Sequence, residues 1–411
     1  MNFLQFAVWG SYLTSMGSYL AGVGMASNIG IFYAVQGIVS IFMPAIVGII
    51  ADRWVQAQRM LGSCHLLAAI FMASAGYYAM SAGDSVEFTT LFSLYTASVA
   101  FYMPTLALSY SVAYSALERA GYDTVKAYPP IRVWGTVGFI CSMLVCDFAG
   151  FQTSYLQFMQ CAVLGVVLGL YSMTLPECPE GGKSERKGFV EAFGLEAFKL
   201  FKKRQMAMFF IFSMLLGISL QITNSFANPF ISSYKEVAEF ASTFGANHAN
   251  ALISLSQVSE TLCILLIPFC LKHFGIKRVM MIAMFAWVLR FGLFGLGNPG
   301  GGVWMFILSM IVYGVAFDFF NISGSLYVNE QTDEKIRSSA QGLFIIMTNG
   351  IGATIGTLGA QAIVNHFVYN GSEGVAMIEG WQTSWLIFAA YALVVMILFT
   401  VLFKYEYRPA K

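Results

Sequence analysis

Twelve predominantly apolar runs separated by short polar breaks fill most of the chain, at 3–23, 29–51, 60–81, 88–116, 131–149, 153–175, 206–231, 249–271, 278–297, 303–328, 340–366 and 382–403. A helix rises about 1.5 Å per residue, so roughly 20 apolar residues cross the ~30 Å hydrocarbon core of a bilayer. The pattern predicts an all-α membrane protein with twelve transmembrane helices. The first run lacks a basic leading segment and a small-residue cleavage site, and is read as a retained span. The long polar interruption, residues 177–205, divides the spans six and six. The expected organisation is a six-helix bundle over 1–176, a cytoplasmic linker over 177–205, a second six-helix bundle over 206–404 and a cytoplasmic tail over 405–411. Within the linker, Phe193, Phe198 and Phe201 alternate with Glu196, Lys199 and the run Lys202, Lys203, Arg204. That spacing suits an interfacial helix, either a solvated linker or a contact with inner-leaflet lipid.

Composition supports lipid as the solvent. Of 411 residues, 58% are hydrophobic and 10% charged, where a soluble domain carries about 25% charged residues. With a net charge of +1, nothing suggests a nucleic-acid partner. Lysine and arginine mark the cytoplasmic side of a membrane protein. With the N-terminus inside, 19 of the 22 fall in inner loops or the tail, one, Lys235, falls outside, and Arg132 and Arg290 lie in spans. Both termini are therefore expected in the cytoplasm. Seven cysteines, six of them in or beside apolar runs, argue against a disulfide framework. The scattered His65, His248, His273 and His366 lack the spacing of a metal site, and neither a metal nor a cofactor is expected. The four-residue pairs Gly165/Gly169 and Gly352/Gly356 are read as ordinary helix packing.

The informative residues are the polar ones that hydrocarbon should exclude. Glu260 lies about eleven residues into the eighth span, hence roughly 16 Å deep, and Asp318 and Arg290 are similarly deep. Each ionised group costs roughly 2.5–3.5 kcal/mol at the centre of a spanning helix. Gln257 and Glu260 share a helical face. Gln221, Asn224 and Asn228 form a stripe on the seventh span, and Tyr313, Phe317 and Asn321 follow at four-residue intervals beside Asp318. Such a wall suits a flat, polar, uncharged ligand. Two duller readings stay open: the amides only join helices, and Asp318 or Glu260 only neutralises Arg290. In the first half, Pro129 and Pro130 mark a natural start for the fifth span. Arg132, Thr136 and Phe139 then recur on one face, away from Trp134, with Arg132 either meeting a ligand or snorkelling to the surface. His65 and Asp147 are read as structural.

Several stretches carry a family resemblance: PPIRVWGTVGFI (129–140), FFIFSMLLGISLQITNSFAN (209–228), SQVSETL (256–262), FGIKRVMMI (274–282) and MIVYGVAFDFFNISGS (310–325). The chain resembles the bacterial nucleoside:proton symporter family of the major facilitator superfamily. GIIADRW (48–54) is similar to the superfamily's loop motif, although VQAQR (55–59) lacks its later glycine. The resemblance implies two six-helix bundles, alternating access, residence in a bacterial inner membrane, and uptake of purine and pyrimidine nucleosides such as uridine and adenosine with protons. It also implies that Arg132, Thr136, Phe139, Gln221, Asn224, Gln257, Glu260, Tyr313, Phe317 and Asp318 bind substrate. Of the two carboxylates, Asp318 is the expected proton carrier and Glu260 the expected sugar ligand. The runner-up is a symporter of the same architecture for a sugar or a modified nucleoside such as xanthosine. No constellation of nucleophile, acid and base suggests an enzyme.

Overall fold

In the computed structural model the described residues, 1–83, 85–178, 195–332 and 334–405, form helices and no strands. They divide into two compact units, Met1–Phe193 and Gly194–Lys411. The first contains α1 (Asn2–Gly10), α2 (Met16–Gly22), α3 (Ile29–Arg53), α4 (Ala57–Ala82), α5 (Phe88–Arg119), α6 (Thr124–Phe148) and α7 (Leu156–Ser172). The second contains α8 (Arg204–Ser233), the short α9 (Phe244–Asn247), α10 (Ala249–Ile264), α11 (Ile267–Leu296), α12 (Val303–Gln331), α13 (Glu334–Ile345), α14 (Ala353–Phe367) and α15 (Gly374–Leu402). A π-helical segment, Ile346–Gly352, joins α13 to α14.

Among the described residues nine helices are long and apolar enough to cross a membrane. The other three expected spans are the first, sixth and eighth, and each is broken or short. The first span breaks at residues 11–15, between α1 and α2. There the Ser11 hydroxyl donates back to the Ala7 carbonyl, the Ser15 hydroxyl donates to Gln157, and the Tyr33 hydroxyl donates to the Leu13 carbonyl at 2.6 Å. Irregular backbone survives at membrane depth only where neighbouring groups satisfy it in this way. The eighth span ends at Ile264 and restarts at Ile267 with a proline in its first turn, since Pro268 has no N–H to continue the ladder. Its remainder runs on through Gly275, at φ 73°, into the ninth span. The sixth span is the 17-residue α7.

The fifth span starts earlier than its prolines suggested. α5 ends in the left-handed Gly121 (φ 78°), with the Tyr122 N–H donating to the Leu117 carbonyl and the Gly121 N–H to that of Glu118. This is the six-to-one and five-to-two pattern of a Schellman close. α6 then begins at Thr124, with the Ala127 N–H bonded to the Asp123 carbonyl at 2.9 Å, so Pro129 and Pro130 fall inside it.

The same pairings recur in both units. In the first, α1 packs on α6, α4 on α5 and α7, and α3 on α5. In the second, α8 packs on α14 and the π segment, α11 on α12 and α15, and α10 on α12. Span for span these are equivalent contacts, the signature of an internal structural repeat. Glycines carry the tightest of them. A methyl on Gly138 would strike the Phe3 carbonyl, and one on Gly217 the Thr348 carbonyl. Gly165 and Gly169 lie against Ala69 and Leu66, and Gly352 and Gly356 against the backbone of Met214 and Ile218, so both four-residue pairs are packing contacts. Outward faces carry apolar side chains, as along α15, where Val394, Ile397 and Val401 recur at helical spacing and are exposed.

Of the expected linker helix, residues 179–194, Phe193 included, and the Glu196 side chain lie outside the described residues. The described part, Leu195–Lys202, is a 3₁₀ helix. Ala197 and Leu200 are buried, and the Phe201 ring lies 5.4 Å from that of Phe210 in α8. Tail residues 406–411, with Arg408 and Lys411, are likewise outside, as are the side chains of Asp52, Arg53, Lys126 and Lys335.

Candidate functional site

Four polar residues of the second unit gather around Tyr313. Gln257 hydrogen bonds its hydroxyl, and Glu260, Arg290 and Asp318 all lie within electrostatic reach of it. Three helices supply these groups: Gln257 and Glu260 stand on α10, Arg290 on α11, and Tyr313, Phe317 and Asp318 on α12. What lets α10 and α12 come so close is Gly314. A Cβ there would sit 2.6 Å from the Ser259 carbonyl oxygen and 2.8 Å from the Glu260 nitrogen. The Ser259 hydroxyl also donates across this seam to the Ile311 carbonyl. Tyr313 and Phe317 are parallel, with ring centroids 5.8 Å apart and planes within 2°, and the Trp287 ring meets Tyr313 edge-on at 6.0 Å. Asp318 is buried, while Gln257, Glu260 and Phe317 are half-buried.

Arg290, 1% exposed, lies with its guanidinium 4.4 Å from the centre of the Tyr313 ring and 5.3 Å from that of Phe294. Its Nη1 donates to the Ser309 carbonyl at 2.7 Å, and the Ser309 hydroxyl donates back to the Arg290 carbonyl at 2.9 Å. A desolvated cation over an aromatic face is worth about 2 kcal/mol, so Arg290 holds Tyr313 in place and adds positive charge beside the two carboxylates.

On α8 the expected stripe divides. The Asn224 amide donates to the Gln221 side chain at 3.1 Å, joining those two residues. Asn228, completely buried, donates to Asn250 of α10 at 2.7 Å and accepts from the Ser232 hydroxyl. Asn228 thus joins helices, the duller of the two readings for an amide.

In the first unit, Arg132 and Thr136 are half-buried and Phe139 is buried, while Trp134 is 60% exposed, so the three share a face opposite the tryptophan. Arg132 does not snorkel freely. Its guanidinium lies 4.0 Å from the centre of the Phe6 ring and its Nε is 3.4 Å from the Tyr110 hydroxyl. Phe139 meets Trp9 edge-on at 6.5 Å. The Trp9 indole nitrogen is buried with no hydrogen-bond partner among the described residues. Phe6 and Trp9 stand three apart in an apolar run, and that spacing alone does not distinguish them from packing residues. His65 is structural. It hydrogen bonds the Gln5 side-chain oxygen at 2.8 Å, while the Gln5 amide donates to Thr105 and the Tyr102 hydroxyl donates to the Gln5 carbonyl. Asp147 accepts from Gln152 at the end of α6. Among the described residues no three histidine, cysteine or acidic side chains come together as metal ligands do.

A family model described as "Nucleoside H+ symporter" matches residues 1–408. The nucleoside permease NupG of Escherichia coli (strain K12) is 44% identical over 410 residues, 99% of this chain and 95% of that protein. The xanthosine permease of the same organism is also 44% identical, over 100% of this chain and 96% of its own length. The crystal structure of NupG superimposes with a TM-score of 0.89 over 98% of each chain. A bacterial homologue of the lysosomal transporter Spinster, at 14% identity and a TM-score of 0.66 over 97% of this chain and 95% of its own, shares the fold. Long apolar helices in two units with the same pairings agree with that match: the chain belongs to the nucleoside:proton symporter family, and is a membrane transporter of the major facilitator fold rather than an enzyme.

Proposed function

We propose that the chain imports neutral nucleosides such as uridine and adenosine across a bacterial inner membrane, with both termini in the cytoplasm. The observation that carries the assignment is the gathering of Gln257, Glu260, Asp318 and Arg290 about one tyrosine. Side-chain amides at Gln221, Asn224 and Gln257 offer both donors and acceptors to a base or ribose edge. Tyr313 and Phe317 offer aromatic faces for stacking. Glu260 accepts from ribose hydroxyls. Asp318 takes up the proton on the outer side and releases it on the inner side as the hydration of the site changes. In the first unit, Arg132, Thr136 and Phe139 have substrate-contacting roles, with Phe6 and Tyr110 holding Arg132 in position. A second reading, transport of xanthosine, draws support from the xanthosine permease, which is as similar to this chain as the nucleoside permease is.

The test is uptake of labelled uridine into proteoliposomes, driven by an inward proton gradient and challenged with unlabelled competitors. Uridine accumulation that collapses with a protonophore, and competition by adenosine but not by free hexoses, is the expected result. Accumulation of xanthosine with indifference to uridine and adenosine moves the assignment to the second reading.

A further inference from the structure

The eleventh span changes its winding beside the candidate site. Between α13 and α14 the backbone is π-helical over Ile346–Gly352, a winding that is rare and tends to occur at functional sites. Packing accounts for part of it. α8 approaches so closely that a methyl on Gly217 would collide with the Thr348 carbonyl and one on Gly352 with the Met214 carbonyl. Packing does not account for Asn349. Asn349 presents an exposed amide, with no hydrogen-bond partner for it among the described residues. Its amide is thus able to meet a polar group of a ligand.

That position borders a niche within the second unit. Phe317 and Asn321 of α12, Trp287 of α11 and Gly217 of α8 form its walls with Thr348 and Asn349. Its space, about 250 Å³, includes the solvent on its open side, so it is a shallow, open recess and not a pocket that encloses a ligand. A flat ring system would lie against it, not inside it. The Thr348 hydroxyl is turned back to the Phe344 carbonyl at 3.0 Å, and the Asn321 amide nitrogen is tied to the Phe317 carbonyl at 3.1 Å. The Asn321 side-chain oxygen and the Asn349 amide are left as the polar groups of an otherwise apolar and aromatic recess.

We propose that this niche is a base-reading subsite of the transport site: Phe317 covers the face of the nucleobase while Asn349, presented by the π turn, and Asn321 hydrogen bond its edge. The proposal rests on the nucleoside reading above and deepens it. Phe317 links the niche to Tyr313, and so to the acidic groups that serve the sugar. Both niche amides are neutral, and a side-chain amide both donates and accepts, so amino and oxo bases are matched by rotation of one group. Charged bases are not favoured.

The experiment compares adenosine with purine riboside, which lacks only the exocyclic amino group, in proteoliposomes containing the full chain. Wild-type protein is expected to prefer adenosine several-fold. Asn349→Leu, close to asparagine in size, is expected to raise the adenosine KM about 3- to 10-fold, the worth of one neutral hydrogen bond. It should leave the purine riboside KM within about twofold, so that the preference disappears. Asn349→Ala, which removes the amide without adding bulk, gives the same comparison if the leucine variant fails to reach the membrane. A KM that rises equally for both substrates, or for neither, overturns the subsite, as does a wild-type protein indifferent to the amino group. Wild-type protein that carries neither adenosine nor uridine overturns the nucleoside reading and the subsite with it.

Discussion

Tyr313 is held from two directions, by the Arg290 cation on its ring and by the Gln257 amide at its hydroxyl. Arg290→Lys keeps the charge but loses the planar contact and the fixed fork of donors. It is expected to raise the uridine KM about tenfold, with wild-type amounts of protein in the membrane. A double-mutant cycle with Tyr313→Leu then checks whether the two residues act as one unit, and a coupling within ~0.3 kcal/mol of zero would show that they do not. The two carboxylates have different parts. Asp318→Asn, which removes an ionisable group while keeping its shape, is expected to abolish proton-driven accumulation of uridine. Exchange of labelled for unlabelled uridine should continue, because exchange needs no net proton movement. Counterflow measured beside gradient-driven uptake separates the two, and undiminished accumulation would remove Asp318 from the coupling role.

At the scale of elements, close helix approach decides where the site's groups sit. Glu260 reaches the Tyr313 cluster because α12 lies against the α10 backbone at Gly314. Gly314→Val places a branched side chain where even a Cβ has no room. Overpacking of this kind costs about 1–3 kcal/mol, and here it forces the two helices that carry Glu260 and Asp318 apart. The variant is expected to lose uridine binding and to melt several degrees lower in detergent. Gly342→Val makes a fair control, since nothing lies within 4 Å of the position where its Cβ would stand. If the two variants bind uridine equally well, the seam does not position the site. Asn228 and Asn250 offer a contrasting test. Asn228→Ala leaves a buried amide without its partner, worth about 1–3 kcal/mol, so stability is expected to fall while the uridine KM of the folded fraction stays close to wild type.

Across the whole molecule, the charge of the site limits what passes. A nucleoside monophosphate brings about two negative charges toward Glu260 and Asp318, and like charges in a poorly hydrated site repel strongly. Uridine monophosphate is therefore expected to compete with labelled uridine at least about a hundredfold more weakly than uridine itself, measured as inhibition of proteoliposome uptake. Orientation is also testable at this scale. A cysteine at Lys235 should react with an impermeant maleimide from outside intact cells, and one at Lys404 only after the cells are broken.

Much of this protein can be read from its sequence. Lipid as solvent demands long apolar runs and makes each buried acid or amide conspicuous, so the spans, Glu260, Asp318 and Arg290 stand out without a fold. Helical periodicity then places Arg132, Thr136 and Phe139 on one face, opposite Trp134. Features that depend on a neighbour distant in the chain are silent in the pattern. The break at residues 11–15 is supported by Tyr33 and Gln157, and Arg290 is turned onto Tyr313 through Ser309. Asn228 leaves the stripe it shares with Gln221 because Asn250 stands opposite it, and the winding of residues 346–352 widens to a π turn against α8 where two glycines let backbones meet. Hydropathy and periodicity are properties of one helix in its solvent, and the sequence displays them directly. Which partner a polar side chain finds, and where two backbones touch, is decided only when the helices pack.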